Sequence, residues 1–361
     1  MHSLHNLSHL PGELRMRVSR SVKIKNFRDR IRHQSCPKNR MRARIKHCAG
    51  ISSTHHINSS CKKNQTMGKP IVLVIGASGN IGVATVAALA AKYADKVEIR
   101  AGVRNPDKAD KLKAIAGVSV VQAAMGDKEN LKGALKGVDS LYIVTPGAQN
   151  RTQLTIATAE AAKEAGVKFL LVVSVLTANL TDTVFGAQLL PIEDKVGKLG
   201  IPYAFLRLPF FVENLWGFKD SIVGQGAIYC PVDPEKPYTP VVVEDAGKAA
   251  AAILADPSKH AGKTYNVVSD RITYNDVTQG FTEALGKEIK YNRVPYEAAK
   301  QAFLGMGLPE WQVDGILELF KLFDSGAPET NIADLSDYEK ITGEKPTSLK
   351  AWITKYAPGF Q

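Results

Sequence analysis

Residues 71–75 read Ile-Val-Leu-Val-Ile and run directly into Gly76-Ala77-Ser78-Gly79-Asn80-Ile81-Gly82, with an alanine-rich stretch at 83–92 behind them. No other feature of the chain restricts its fold as strongly. An unbroken run of β-branched residues and leucine suits a strand buried on both faces, as in parallel sheets. Glycines at these three positions permit a tight turn, let the backbone approach a pyrophosphate with no Cβ in the way, and let the next helix pack close to the strand. That helix then aims its free N-terminal amides at the phosphates. Three spaced glycines alone would say little. Their place between a strand and a helix predicts a dinucleotide cradle made of Gly76, Ala77, Ser78, Gly79, Asn80, Ile81 and Gly82.

A second strand is predicted at 97–103, ending at Arg104. A carboxylate there would hold the ribose 2′-hydroxyl of NAD(H), whereas arginine offers a fork of donors to a 2′-phosphate. No acid lies between Arg100 and Pro106. The expected cofactor is therefore NADP(H), with NAD(H) as the alternative, and a solvated surface arginine is the plain reading of Arg104.

Strands at 118–123, 140–144 and 169–175 alternate with helices near 129–135 and 153–165, and the loops are short. This alternation predicts an α/β fold with a doubly wound parallel Rossmann sheet, whose ligands bind at the carboxyl ends of the strands. Asp127, Thr145, Pro146 and Ser174 stand at such ends. Asp127 could accept from an adenine amino group, and Thr145-Pro146 could wall the ribose and nicotinamide; either is equally a turn former. Residues 67–215 are expected to form the dinucleotide domain. Residues 216–361 read as a smaller, mostly helical lobe interleaved with the core, with Trp311, Leu317, Leu319, Phe320 and Phe323 marking an amphipathic helix.

Charge matters here only through its distribution. The chain carries +12, but residues 1–66 hold fifteen of its 47 Lys and Arg against two of its 35 acids, so the remainder is near neutral. No nucleic-acid partner is expected for the folded part. The leader is expected to be disordered, since it has too little apolar surface to offset its ordering entropy. It reads as a transit peptide through the Arg-rich segment 14–32, as a nucleic-acid arm, or as an extension outside the working protein, because Met67 precedes Gly68-Lys69-Pro70 and the first strand. Zinc binding by Cys36, Cys48, His55, His56 and Cys61 is disfavoured, as their spacing matches no paired arrangement. Beyond Met67 only Cys230 remains, which cannot supply a disulfide framework. No apolar run approaches the roughly 20 residues of a membrane span. A soluble, cytoplasmic, metal-free protein is expected, mitochondrial or otherwise organellar if the leader is a transit signal.

The glycine loop, Arg104 and the run Gly200-Ile-Pro-Tyr-Ala-Phe-Leu-Arg-Leu-Pro-Phe-Phe-Val-Glu-Asn214 together resemble the NmrA-like family of atypical short-chain dehydrogenases, from about residue 71 to at least 268. That resemblance implies the fold and a dinucleotide. It leaves activity open, because the family combines regulators that bind dinucleotide without turnover, NADPH-dependent quinone reductases and sensors of the NADPH to NADP balance. Short-chain reductases commonly use a Tyr as acid with a Lys four residues on. Between Ser174 and Glu193 this chain has no Tyr, Lys, His or Cys, and Leu189 stands where many relatives carry a lysine. A Tyr-x-x-x-Lys at Tyr296 to Lys300 lies too far along the chain to serve. The resemblance also implies a small lobe over the nicotinamide end, with Gln188, Pro209, Phe210, Phe211, Asn214 and Trp216 as candidates for a substrate cleft; each aromatic is equally a core residue. Glu193, in a helix predicted at 191–198, could orient a ligand, and is equally read as an exposed helix glutamate. Two functions follow: an NADP(H)-responsive redox sensor that engages a protein partner, or an NADPH-dependent reductase of quinones or small carbonyl compounds. The oligomeric state is not readable from the sequence.

Overall fold

Seven of nine strands among the described residues pair into one sheet. The strands are β1 (Ile71–Ile75), β2 (Glu98–Val103), β3 (Val118–Gln122), β4 (Ser140–Ile143), β5 (Phe169–Val175), β6 (Tyr203–Leu208), β7 (Ala227–Cys230), β8 (Lys263–Asn266) and β9 (Lys290–Arg293). The computed structural model describes residues 68–361, so every reading of the leader lies outside the described residues. The main sheet runs β3-β2-β1-β4-β5-β6-β8 and all of its pairings are parallel. Strand order reverses between β1 and β4, which opens a crevice at their carboxyl ends, the place where open α/β sheets take their ligands. β7 and β9 pair in parallel as a separate two-stranded sheet.

The helices are α1 (Asn80–Lys92), α2 (Asp110–Lys113), α3 (Lys128–Ala134), α4 (Arg151–Glu164), α5 (Val184–Gly197), α6 (Lys219–Gln225), α7 (Val243–Ala255), α8 (Tyr274–Leu285), α9 (Tyr296–Gly305), α10 (Glu310–Ser325), α11 (Asp337–Thr342) and α12 (Leu349–Tyr356). One core under the sheet gathers Val72, Val74, Leu89, Leu171 and Leu206 against α1 and α7; the opposite face buries Leu73, Ile75, Leu141, Leu170 and Ile192. A second body of core, rich in aromatics, joins Tyr238, Tyr274, Phe281, Phe320, Trp352 and Phe360 in the helical lobe. The chain crosses the expected division at 215 twice, since α7 packs on α1 and β8 joins the main sheet beside β6. No helix among the described residues is long and apolar enough to cross a membrane.

The helix around Glu193 differs from its sequence expectation. Pro191 reads as a first-turn proline, the commonest helical place for it, yet α5 starts at Val184 and carries Pro191 in its interior. Two contacts set the earlier start. Thr183 caps Gly186 N at 3.1 Å, and Glu318 of α10 accepts from Val184 N at 2.7 Å. The interior proline costs about 3 kcal/mol, offset by burial of Leu189, Ile192 and Val196.

Candidate functional site

The glycine loop has the geometry its sequence predicts. Gly76 holds φ +82°, a left-handed turn where a Cβ would stand 3.0 Å from Val144 O. Gly82 faces the loop so closely that a Cβ would lie 2.3 Å from Gly76 O. Gly79 is different: a Cβ there would meet only Gly76 O, at 3.4 Å. A side chain at 79 would meet no clash within the protein, so any need for glycine there comes from close approach of a ligand. The first bond of α1 runs from Val83 N to Gly79 O at 2.8 Å, which leaves the amides of Asn80, Ile81 and Gly82 unused by the helix. With no acid in its first turn, α1 presents these donors and its positive dipole end to an anion. The loop therefore fits a pyrophosphate.

Arg104 follows β2 directly, is exposed, and makes no hydrogen bond or ion pair among the described residues. Asp127 is exposed at the start of α3, where its carboxylate accepts from Asn130 N at 3.1 Å and from the Asn130 side chain. Its capping role is thus filled within the chain. Thr145 Oγ1 donates to Val173 O at 3.2 Å, tying the loop after β4 to the end of β5, with the half-buried Pro146 beside it.

Ser174 is the hub of a network that sequence reasoning did not assemble. It pairs in register with Arg207 across β5 and β6. Its hydroxyl donates to Glu193 Oε1 at 2.5 Å, and Arg207 grips the same carboxylate from Nε at 2.9 Å and Nη2 at 2.6 Å. Arg207 Nη2 also donates to Asn179 Oδ1 at 3.1 Å. Ser174 is 1% exposed and Glu193 8%, and the Arg207 side chain 15%. A fork-to-fork pair of this kind is rigid and directional. Glu193, whose alternative reading was an exposed helix glutamate, is buried in it as an acceptor. Its arrangement fixes the rim of the sheet, and none of the four side chains offers the Tyr and Lys pair of a short-chain reductase.

The six cleft candidates separate. Gln188 lies where α5 meets the start of α4: its carbonyl accepts from Thr152 Oγ1 at 2.8 Å, and its Oε1 is buried without a partner. Pro209 and Phe211 are half-buried after β6, and Asn214 is exposed. Phe210 packs edge-on against Phe320 and Phe323 at 5.8 and 6.0 Å, and Trp216 stacks on Phe360 at 4.3 Å. Both are half-buried and pack against the core of the lobe, where the C-terminal segments supply their aromatic partners. Tyr296 and Lys300 lie on α9 with structural partners: Tyr296 OH donates to Asp324 at 2.7 Å, and Lys300 pairs with Glu310 and Asp314 at 3.3 and 2.9 Å.

A sequence profile of the NmrA-like family matches residues 68–354. The chain belongs to the NmrA-like family. An NAD(P)H azoreductase of Xenophilus azovorans is 29% identical over 293 residues, spanning 80% of this chain and 99% of that protein. Among solved structures of similar proteins, Citrobacter sp. triphenylmethane reductase complexed with NADP(H) gives a TM-score of 0.69 at 26% identity, covering 79% of this chain and 99% of the other. The NADPH-dependent quinone oxidoreductase of Escherichia coli complexed with NADPH gives 0.68 at 26% identity, again covering 79% of this chain and 99% of its own. These relatives are matched along nearly their whole length, and the two solved structures share the fold of this chain.

Proposed function

We propose that this NmrA-like protein binds NADP(H) and reduces aromatic or quinonoid acceptors that require no acid from the protein. One observation carries the reading. The rim where a short-chain reductase would hold its proton donor is filled by the Ser174, Glu193 and Arg207 network, beside a glycine cradle that fits a dinucleotide. The pyrophosphate would rest on the amides of Asn80 to Gly82, a 2′-phosphate on Arg104, and the ribose and nicotinamide against Thr145 and Pro146, while Ser174, buried against Glu193, braces the strand behind them. NADPH, when bound, supplies a hydride. A quinone that takes it becomes a hydroquinone anion, which water protonates without help. Proximity in the crevice is then the main contribution of the chain. The reductase relatives support this reading by their own acceptors.

The same missing donor also favours a second reading, an NADP(H)-responsive sensor that acts through a protein partner. One titration separates the two. Full-length protein is titrated with NADPH, NADP and NADH in a calorimeter, and a quinone is then added under excess NADPH. Steady NADPH consumption supports the reductase; tight binding of NADP(H) without consumption supports the sensor; absence of dinucleotide binding overturns both.

A further inference from the structure

Arg151 is the first residue of α4, reached through the short loop that leaves the carboxyl end of β4 and contains Thr145 and Pro146. It thus stands on the ligand rim of the sheet. Its guanidinium lies over two rings, Phe185 of α5 at 5.6 Å and Trp311 of α10 at 5.4 Å. The rings meet there because α10 has a glycine one turn beyond Trp311: a Cβ on Gly315 would sit 2.8 Å from the Phe185 ring. Glu318, farther along α10, is engaged elsewhere, accepting from Val184 N at 2.7 Å. Of the five guanidinium donors only Nε is used, donating to Ala148 O at 3.3 Å, and no carboxylate pairs with Arg151 among the described residues. Burial pulls its pKa below the usual arginine range, the mark of a cation short of solvent and counterion. Next to it, the buried Oε1 of Gln188 is unpartnered, while Gln188 Nε2 reaches Gln149 O at 3.4 Å.

The two rings offset part of the cost of holding this guanidinium half-buried without an anion, and its Nη donors stay free for a ligand. Its terminal nitrogens match an oxyanion bidentately, and rings beside it offer stacking to an aromatic body. We infer that Arg151, with Phe185 and Trp311, forms a subsite at the acceptor end of the crevice that takes the carboxylate or sulfonate of an aromatic acceptor. This rests on the reductase reading for its turnover test and stands apart from it for binding.

The test compares an anthraquinone sulfonate and an anthraquinone carboxylate with a neutral hydroxymethyl anthraquinone, using the full chain at saturating NADPH. Arg151→Gln should lower kcat/KM for both anions by about ten- to a hundredfold, mainly through KM, and change the neutral acceptor by less than about threefold. Arg151→Lys should recover part of the loss. Equal losses for all three acceptors, or no loss, overturn the subsite. The neutral acceptor reports whether each variant is folded and loaded. If the wild type consumes no NADPH with any of them, the reductase reading fails and the subsite is read by binding instead, as quenching of tryptophan fluorescence in NADP-loaded protein, assigned with Trp311→Phe. Saturable binding of the sulfonate that weakens at least about tenfold in Arg151→Gln, with weaker binding of the neutral compound, supports it. Equal binding of both compounds, or none, overturns it.

Discussion

Residues at strand ends were readable in proportion to how local their chemistry is. Arg104 is legible because the hydrophobic run of β2 fixes where the strand ends, at the carboxyl edge of the sheet where ligands bind. Being exposed and without partners among the described residues, it can be replaced at little structural cost. Arg104→Ser should leave the melting temperature within about 1 °C, weaken NADPH by about tenfold or more and leave NADH affinity unchanged, by parallel calorimetric titrations. Equal loss for both dinucleotides would show that Arg104 does not read the 2′-phosphate. Glu193 is the opposite case. Its meaning depends on Ser174 and Arg207 standing side by side on neighbouring strands, a register that no local pattern reveals. Glu193→Gln leaves the mostly buried Arg207 guanidinium without its charge partner and should cost about 3 kcal/mol in urea unfolding. A loss below about 1 kcal/mol would mean that solvent reaches the pair. Arg151 was missed for a related reason, since its two aromatic neighbours come from helices far along the chain.

Among the elements, the inner strands β1, β4 and β5 are legible because strands buried on both faces are mostly apolar, while helix starts differ from expectation where a cap comes from elsewhere. The expectation for α1 began at 83, three residues late, because the first turn is defined by free amides that leave no periodic trace. α5 was placed seven residues late, its start being stabilised by Glu318 from α10. The contact of α1 with α7 is a feature of shape: a Cβ on Gly247 would lie 2.6 Å from both Ala84 C and Ala84 Cβ. Backbone cannot step aside as a flexible side chain can, so Gly247→Ala must push the helices apart. Despite the better helix propensity of alanine, it should destabilise the protein by about 1 to 3 kcal/mol. Because α1 carries the cradle, NADP affinity should fall with it. A variant as stable as the wild type would show that the helices slide without loss.

At the scale of the whole molecule, the C-terminal third is fastened to the dinucleotide body by one buried and one half-buried carboxylate, which explains why a division at 215 describes the sequence better than the fold. Asp245, 1% exposed at the start of α7, accepts from Ser269 Oγ at 2.6 Å and from Thr347 N and Oγ1 at 2.7 and 2.9 Å. Glu213 accepts from Val243 N at 3.0 Å and from Trp352 Nε1 at 3.3 Å, so one side chain holds the start of α7 and the core of α12 together. Burial raises the pKa of Glu213 above the ordinary glutamate range, the nearby Asp245 adding to it, while its hydrogen bonds from Val243 and Trp352 act the other way. The native state therefore binds this proton more tightly than the unfolded chain does. Its stabilising contribution is complete below the ordinary glutamate value and is lost as pH rises through the raised one. Glu213→Gln, neutral at every pH, isolates that contribution. In urea unfolding from about pH 4 to about pH 8, the wild type should lose stability relative to the variant as pH rises, with the change confined to the window between the ordinary and the raised value. A difference that stays constant with pH would show that Glu213 is as easily ionised in the folded protein as in the unfolded chain. In that case the junction of body and lobe would not respond to acid through this residue.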